Sequence, residues 1–508
     1  MKRIALYIGL ALMGCTALTA QENETFEEFN ARRQKNFDQF KEQRRQEFEK
    51  FRRERNEKFA RFLRRAWIPI EPCPVEPHPK DDIIPPVVTP KEDVKPAPKP
   101  IEIPFDKVIP APKPKPQPAP IEPIEEVPAP RPTPVQPRPI VAKQRFMFFG
   151  TPAEVRIDKK KVFRLKGLNE NAIADAWLEL SEEKYTNLIH DCLKIREKHE
   201  LCDWAYLQML HSMAEAVCGK GTNEATLLMA YVYCQSGYKM RMAIGGNKLH
   251  MLFASDYSIY DWGYYNLDGE QYYVFDKGSN NLRICEQKYP QEQSMSLYIK
   301  QDPKLAVTVT EASAHKSRRN EEMDIRLTAN KNMLDFYNSY PTSKYGEDFM
   351  SRWAMYANMP TPENIKRQIY PTLRQAINQC DQWTAVNRIL NFVQTGFVYE
   401  YDDKVWGKDR AFFPEESLHY PYCDCEDRSI LFTRLIRDLL GLKCILIYYP
   451  GHLAAAVEFT QGNPTGDYIG YNGQRFFITD PTITGYGAPV GTTMRGMDNK
   501  KAKVILLE

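Results

Sequence analysis

The chain has 508 residues, a formal net charge of +3 and 43% hydrophobic residues. That length supplies more than one core, and so small a charge excludes bulk electrostatic attraction to nucleic acid or to an acidic surface. The eleven cysteines, Cys192, Cys234, Cys285 and Cys444 among them, follow no regular spacing, so buried thiols are expected rather than a disulfide framework.

Residues 1–20, MKRIALYIGLALMGCTALTA, combine Lys2-Arg3, an apolar stretch and small residues, the pattern of a secretory signal. An exported protein is expected, in the bacterial periplasm, in the cell envelope or secreted. Cleavage after Ala20 would free it, whereas Cys15 in LMGC, similar to a bacterial lipobox, would attach it to a membrane by a lipid. No later segment approaches the ~20 apolar residues that a spanning helix needs.

Phe26, Phe37, Phe48 and Phe59 recur every 11 residues, and Phe29, Phe40, Phe51 and Phe62 do the same. Such a repeat lays the rings in a nearly straight stripe on a helix, here over residues 22–67, about 45 residues and roughly 65 Å long. The stripe is narrow and the other faces are charged, which favours self-association through this helix or a helix lying on a surface. Residues 68–140 then become rich in Pro, Lys, Val, Ile and Glu, as in KPAPKPIEIPFDKVIPAPKPKPQPAP. They read as an extended, polyproline-like spacer reaching roughly 200 Å at about 3.1 Å per residue. Having no core of its own, this stretch up to about Pro139 is expected to be dispensable for folding.

The remainder repeats itself. Cys202-Asp203-Trp204 and Cys380-Asp381-Gln382-Trp383 each open a helical run. TNEATLLMAYVYCQSGYKMRMAIGGNKLHMLF stands beside EDRSILFTRLIRDLLGLKCILIYYPGHLAAAV, each a helix ending at a glycine (Gly237, Gly441), then a strand, then a histidine (His250, His452). GEQYYVFD ends in Asp276, and GQRFFITD in Asp480. Three matches in one order indicate two tandem α+β units, residues 145–285 and 286–508.

In YPYCDCEDRSILF, Asp424 is an N-cap candidate and Cys425 the first helical residue, where the helix dipole favours thiolate. Glu426 and Asp427 oppose that bias, so a histidine must assist. His452 in GHLAAAV is the candidate base, and Asp480 in FFITDPT has the acceptor to orient it. Two other readings exist for this stretch. Cys423 and Cys425 with His419 and His452 form a metal knuckle, although Cys-x-Cys is short of the usual zinc spacing; or Cys423 and Cys425 form a strained disulfide. Counting back from the two glycines places Gly221 opposite Cys425, so the first unit lacks the nucleophile, and Cys218 lies one helical turn earlier. Its tyrosine-rich segment DYSIYDWGYYNLDGEQYYVF is a strand surface or a recognition face.

DCEDRSILF, YPGHLAAAV and FFITDPT, in that order, resemble the Cys, His and Asp motifs of the transglutaminase-like superfamily, and the DCED form is most similar to its bacterial cysteine-peptidase-like members. The resemblance covers about Tyr399 to Thr482. It implies two tandem papain-like units, the first degenerate, after a long helix and Pro-rich linker. Cys425 would be nucleophile, His452 base and Asp480 orienter, with no cofactor and no metal. Cys423 stands where bacterial members often carry glycine, and Trp406 or backbone amides near Cys425 are candidate oxyanion donors. The implied activity is acyl transfer from a peptide or side-chain amide, with hydrolysis favoured over cross-linking, and the implied partner is a protein or peptide substrate. The competing reading is an inert envelope scaffold or binding protein built on the same domains.

Overall fold

The phenylalanine repeat winds as a single helix, Phe26–Leu63, in this computed structural model, which describes residues 26–77, 85–89, 99–121, 123–127, 142–276, 281–345 and 348–508. The export signal, Cys15 and Ala20 lie outside the described residues. The helix stops short of Ile68-Pro69, because a residue before proline is pushed out of the α region. Among the described residues, 26–55 form one unit and Asn56–Glu508 a second. In the first, the rings of Phe26, Phe29, Phe37, Phe40 and Phe51 are exposed along their stripe. No described helix is long and apolar enough to cross a membrane.

The second unit is mixed α+β. Its strands, in chain order, are β1 (Ile68–Ile70), β2 (Val88–Thr89), β3 (Lys99–Ile101), β4 (Val108–Ile109), β5 (Lys143–Phe148), β6 (Thr151–Arg156), β7 (Met240–Gly245), β8 (Lys248–Ala254), β9 (Tyr264–Leu267), β10 (Glu270–Val274), β11 (Leu282–Cys285), β12 (Ser313–Lys316), β13 (Asp324–Leu327), β14 (Val398–Tyr399), β15 (Tyr422–Cys423), β16 (Cys444–Tyr449), β17 (His452–Glu458), β18 (Asp467–Tyr471), β19 (Gln474–Thr479), β20 (Thr484–Gly485) and β21 (Lys503–Leu506).

Two sheets carry the repeat. One runs β1-β11-β7-β8-β10-β9 and the other β3-β18-β19-β17-β16-β21-β4. Without the strands from the Pro-rich segment, the orders are β11-β7-β8-β10-β9 and β21-β16-β17-β19-β18, antiparallel throughout and identical in connection. Each is preceded by a helix, Asn223–Gln235 or Cys425–Leu440, whose buried face packs on its own sheet. From Gly237 to Asp276 the two copies hold one register without a gap, at an offset of 204 (441 − 237, and again 480 − 276).

The described parts of the Pro-rich segment are largely extended, apart from a 3-10 turn at Phe105–Lys107, but they are not a free spacer. Strand β1 pairs with β11, and Cys73 donates its N–H to the Tyr264 carbonyl at 2.8 Å, so a few residues join both edges of the first sheet and hold it curled. Strands β3 and β4 add in parallel to the two edges of the second sheet and bury Ile101 and Ile109. Further on, Gln117 donates to Asp203 at 2.8 Å, and Ala119 lies so close to Gly237 (φ +94°) that any Cβ there would overlap its carbonyl. Proline lacks only its own N–H; its carbonyl and its neighbours' backbone groups remain available at a sheet edge. Phe59, Leu63 and Trp67 are also buried in the main core. These contacts run against the expectation that everything before about Pro139 is dispensable: the described parts of this stretch close sheet edges and fill part of the core.

Candidate active site

Cys425 is the first residue of its helix because Asp424 before it is extended, and Tyr422–Cys423 is tied in parallel to Val398–Tyr399. Ile430, Leu431, Phe432, Leu435 and Ile436, all fully buried, fix the helix against β16 and β17. Arg428, also fully buried, donates to the carbonyls of Phe397 (2.9 Å), Gln394 (3.1 Å) and Pro481 (3.4 Å). One guanidinium thus braces the helix start against the residue that follows Asp480.

His452 opens β17 directly after the Pro450-Gly451 turn, opposite Tyr449. Its Nε2 lies 2.8 Å from Asp480 Oδ2, and both residues are only 3% exposed. The other Asp480 oxygen accepts from the Thr482 hydroxyl at 2.6 Å and the Thr482 N–H at 3.0 Å, while the Asp480 carbonyl accepts from Gln394 Nε2 at 2.8 Å. Burial alone would raise the Asp480 carboxyl, but the charge of His452 and the bonds from His452 and Thr482 outweigh it and hold the group below its usual range.

Cys425 meets the same strand. The Leu453 amide, next to His452, favours its thiolate, and one turn on Ser429 donates to the Leu453 carbonyl at 2.9 Å. The thiol itself donates to Glu426 Oε2 at 3.2 Å, and no hydrogen bond joins it to His452 among the described residues. Histidine and aspartate are therefore joined, and the cysteine lies beside them with its S–H turned aside. Burial, then the charges of Glu426 and Asp424, push the thiol well above its ordinary value.

Those charges belong to a larger cluster. Oxygens of Asp402, Asp409 and Glu426 lie within 4.8 Å of one another, as do those of Asp402, Asp424 and Asp427. Burial, then the Glu426 charge, raises Asp402 to about 8, and burial likewise raises Asp424, Glu426 and Asp427. The Phe412 N–H satisfies one Asp427 oxygen at 2.7 Å, but Asp424 Oδ1 is buried without a hydrogen-bond partner. Oxygen-only sets of this kind suit hard divalent cations; otherwise protons must neutralise them. From sequence DCED reads only as a helix start, with no metal; the distant Asp402 and Asp409 complete the cluster only on folding.

The metal knuckle does not form. Cys423 and Cys425 are free thiols, and the His419 ring packs against Tyr420, outside every group of potential ligands among the described residues. Trp406 packs against Phe412 and Tyr420, with Arg410 over its face. In the first copy the gapless register places Lys248, not His250, opposite His452 (452 − 204), and Gly221 opposite Cys425. His250 sits two residues on, at the place of Ala454. Lys248 Nζ and His250 Nδ1 reach Asp276 at 2.5 and 2.9 Å, and the helix there starts only at Asn223. No family model, curated protein or solved structure matches the chain.

Proposed function

We propose that this is an exported transglutaminase-like cysteine enzyme with two papain-like units, of which only the second is catalytic, and that it hydrolyses peptide or side-chain amide bonds. The observation that carries this reading is the buried His452–Asp480 hydrogen bond on the strand packed against Cys425. With Nε2 engaged by Asp480, His452 has Nδ1 left to take the thiol proton once the Cys425 side chain turns from Glu426. Sulfur then bonds to the acyl carbon, the C–N bond breaks, and His452 returns the proton to the leaving amine. Water, deprotonated by His452, cleaves the thioester and restores the thiol. Release to water rather than to an amine is favoured because no segment around Tyr420–Asp480 reads as a dedicated lid. Attachment by a lipid on Cys15 and self-association through the exposed phenylalanine stripe belong to the same proposal.

A second reading, an inert scaffold, is favoured by the thiol's bond to Glu426 and its raised pKa. Labelling the folded protein with iodoacetamide and mapping the product separates the two. Cys425 should react first, and His452→Ala should slow it by about tenfold or more, within the range of general-base effects. Equal rates in both proteins favour the scaffold.

A further inference from the structure

We infer that the β20 edge, with the groove that runs from it to Tyr399, binds extended polypeptide, and that Val87–Thr89 of the Pro-rich segment occupies that edge in cis. Calling that polypeptide the substrate rests on the catalytic reading above; the groove itself does not.

Strand β2 is unlike its neighbours in the segment. Strands β3 and β4 extend whole sheets and bury isoleucines, whereas β2 pairs with the two-residue β20, outside both sheets, and Val88 is 72% exposed. It adds almost nothing to a core. It is held by backbone and hydroxyl groups: Thr484 N–H donates to the Val87 carbonyl at 2.8 Å, Tyr486 N–H to the Thr89 carbonyl at 3.3 Å, and Thr89 Oγ1 lies 3.0 and 2.8 Å from the carbonyl oxygens of Thr484 and Gly487. Strand addition of this kind reads main chain and is indifferent to most side chains.

The receiving edge is shaped for it. Gly485 has φ +79°, and a Cβ there would overlap the Thr89 carbonyl, so the edge admits another backbone at a distance only glycine allows. Arg318 donates to the Gly485 carbonyl at 3.0 Å and holds that edge in place. From Val88 a groove of about 570 Å³ continues past Phe397 to Tyr399. Tyr399 pairs with Cys423, two residues before Cys425. Gln394, which also lines the groove, is the residue that holds the Asp480 carbonyl. A chain laid along β20 therefore reaches the wall shared with the Cys-His-Asp group, and the resident strand competes for that place.

The test uses the full-length protein and its Thr89→Pro variant, which loses the hydroxyl contacts and one strand N–H where few side chains are buried. A fluorescent peptide spanning Pro85–Thr89 should bind the variant at least about tenfold more tightly than wild type, because an internal competitor scales apparent affinity by the vacant fraction. Equal binding to both, or binding to neither, overturns the inference. A second arm compares iodoacetamide with the same peptide carrying a chloromethyl ketone. The peptide reagent should modify Cys425 faster in Thr89→Pro while the iodoacetamide rate stays unchanged. Peptide binding that rises without any labelling of Cys425 upholds the groove and rejects the catalytic reading. Labelling of Cys425 at equal rates in both proteins by both reagents upholds the catalytic reading and rejects the groove.

Discussion

Lys248 occupies in the first sheet the register position that His452 occupies in the second, and each reaches the aspartate at the end of an adjacent strand, at 2.5 and 2.8 Å. Lys248 is an ion-pair partner of Asp276 where the second sheet has an imidazole, and Gly221 supplies no thiol. The first copy has the aspartate but neither a histidine nor a cysteine at the matching positions. Between the two copies, iodoacetamide should therefore label Cys425 and spare Cys218. Cys425→Ala should abolish turnover with the fold intact, and Cys218→Ala, whose thiol burial raises to about 12, should change nothing. Labelling of Cys218 at a rate comparable to Cys425 contradicts this division.

Thr482 acts on the site through Asp480. Thr482→Val removes the 2.6 Å hydroxyl bond but leaves the N–H bond, so Cys425 alkylation should slow by less than in Asp480→Asn. The lost bond corresponds to about 1.5–3 kcal/mol for a charged acceptor. Rates measured on the two variants side by side check the order; a larger effect from Thr482→Val reverses it.

Removing residues before Ala142 should cost most of the fold, whereas a chain beginning at Asn56 should melt near the full-length protein. The longer truncation deletes Phe59, Leu63, Trp67, Ile101 and Ile109, all buried. At roughly 1.5–3 kcal/mol per large apolar side chain, that is about 10 kcal/mol, comparable with the whole stability of a typical domain. Thermal melts of the three chains decide it.

Burial raises Glu415 to about 8 and Asp302 to about 7, and neither has a cationic partner at hydrogen-bond distance: Glu415 accepts from the Asn330 N–H and Asp302 from the Tyr337 hydroxyl. A carboxyl raised in the folded state binds its proton more tightly there. Its contribution is complete below the unfolded pKa, near 4.5 for Glu415, and is lost as pH rises through about 8. Stability should fall across that window, and Glu415→Gln should gain on wild type above it by an amount on the order of a few kcal/mol. Denaturant midpoints at acidic and alkaline pH provide the check; parallel curves refute it.

The carboxylates around Cys425 offer oxygen ligands in place of protons. Calcium should raise the melting temperature, with about 2.7 kcal/mol of stabilisation at a hundredfold excess over Kd, and a chelator should reverse the rise. The double variant Asp402→Asn, Glu426→Gln should lose the response. An equal shift in that variant, or none in wild type, removes the cation from consideration.

The repeated helix, glycine and strand were legible because alternation, a helix-ending glycine and a terminal aspartate are written in side chains. So was the joining of His452 to Asp480. His250 is not the counterpart of His452 that its residue type suggests: it and Lys248 lie on the same face two residues apart, and the offset of 204 pairs Lys248 with His452. Arg428 looks like a surface residue of its helix, and only folding brings the three carbonyls that enclose it. The pairing of the Pro-rich segment was not legible at all, because edge strands bond through backbone groups that every residue shares.

Lys107 donates to the Lys500 carbonyl, 393 residues away along the chain, beside the pairing of β4 with β21. A contact of that span cannot form until β21 has been made, so during synthesis β4 must wait for nearly the whole protein, whereas β1 needs only β11. Non-local closures of this kind are reached late and slowly. The composition around β4 suits the wait, since a proline-rich, charged stretch has little tendency to collapse or to pair with itself.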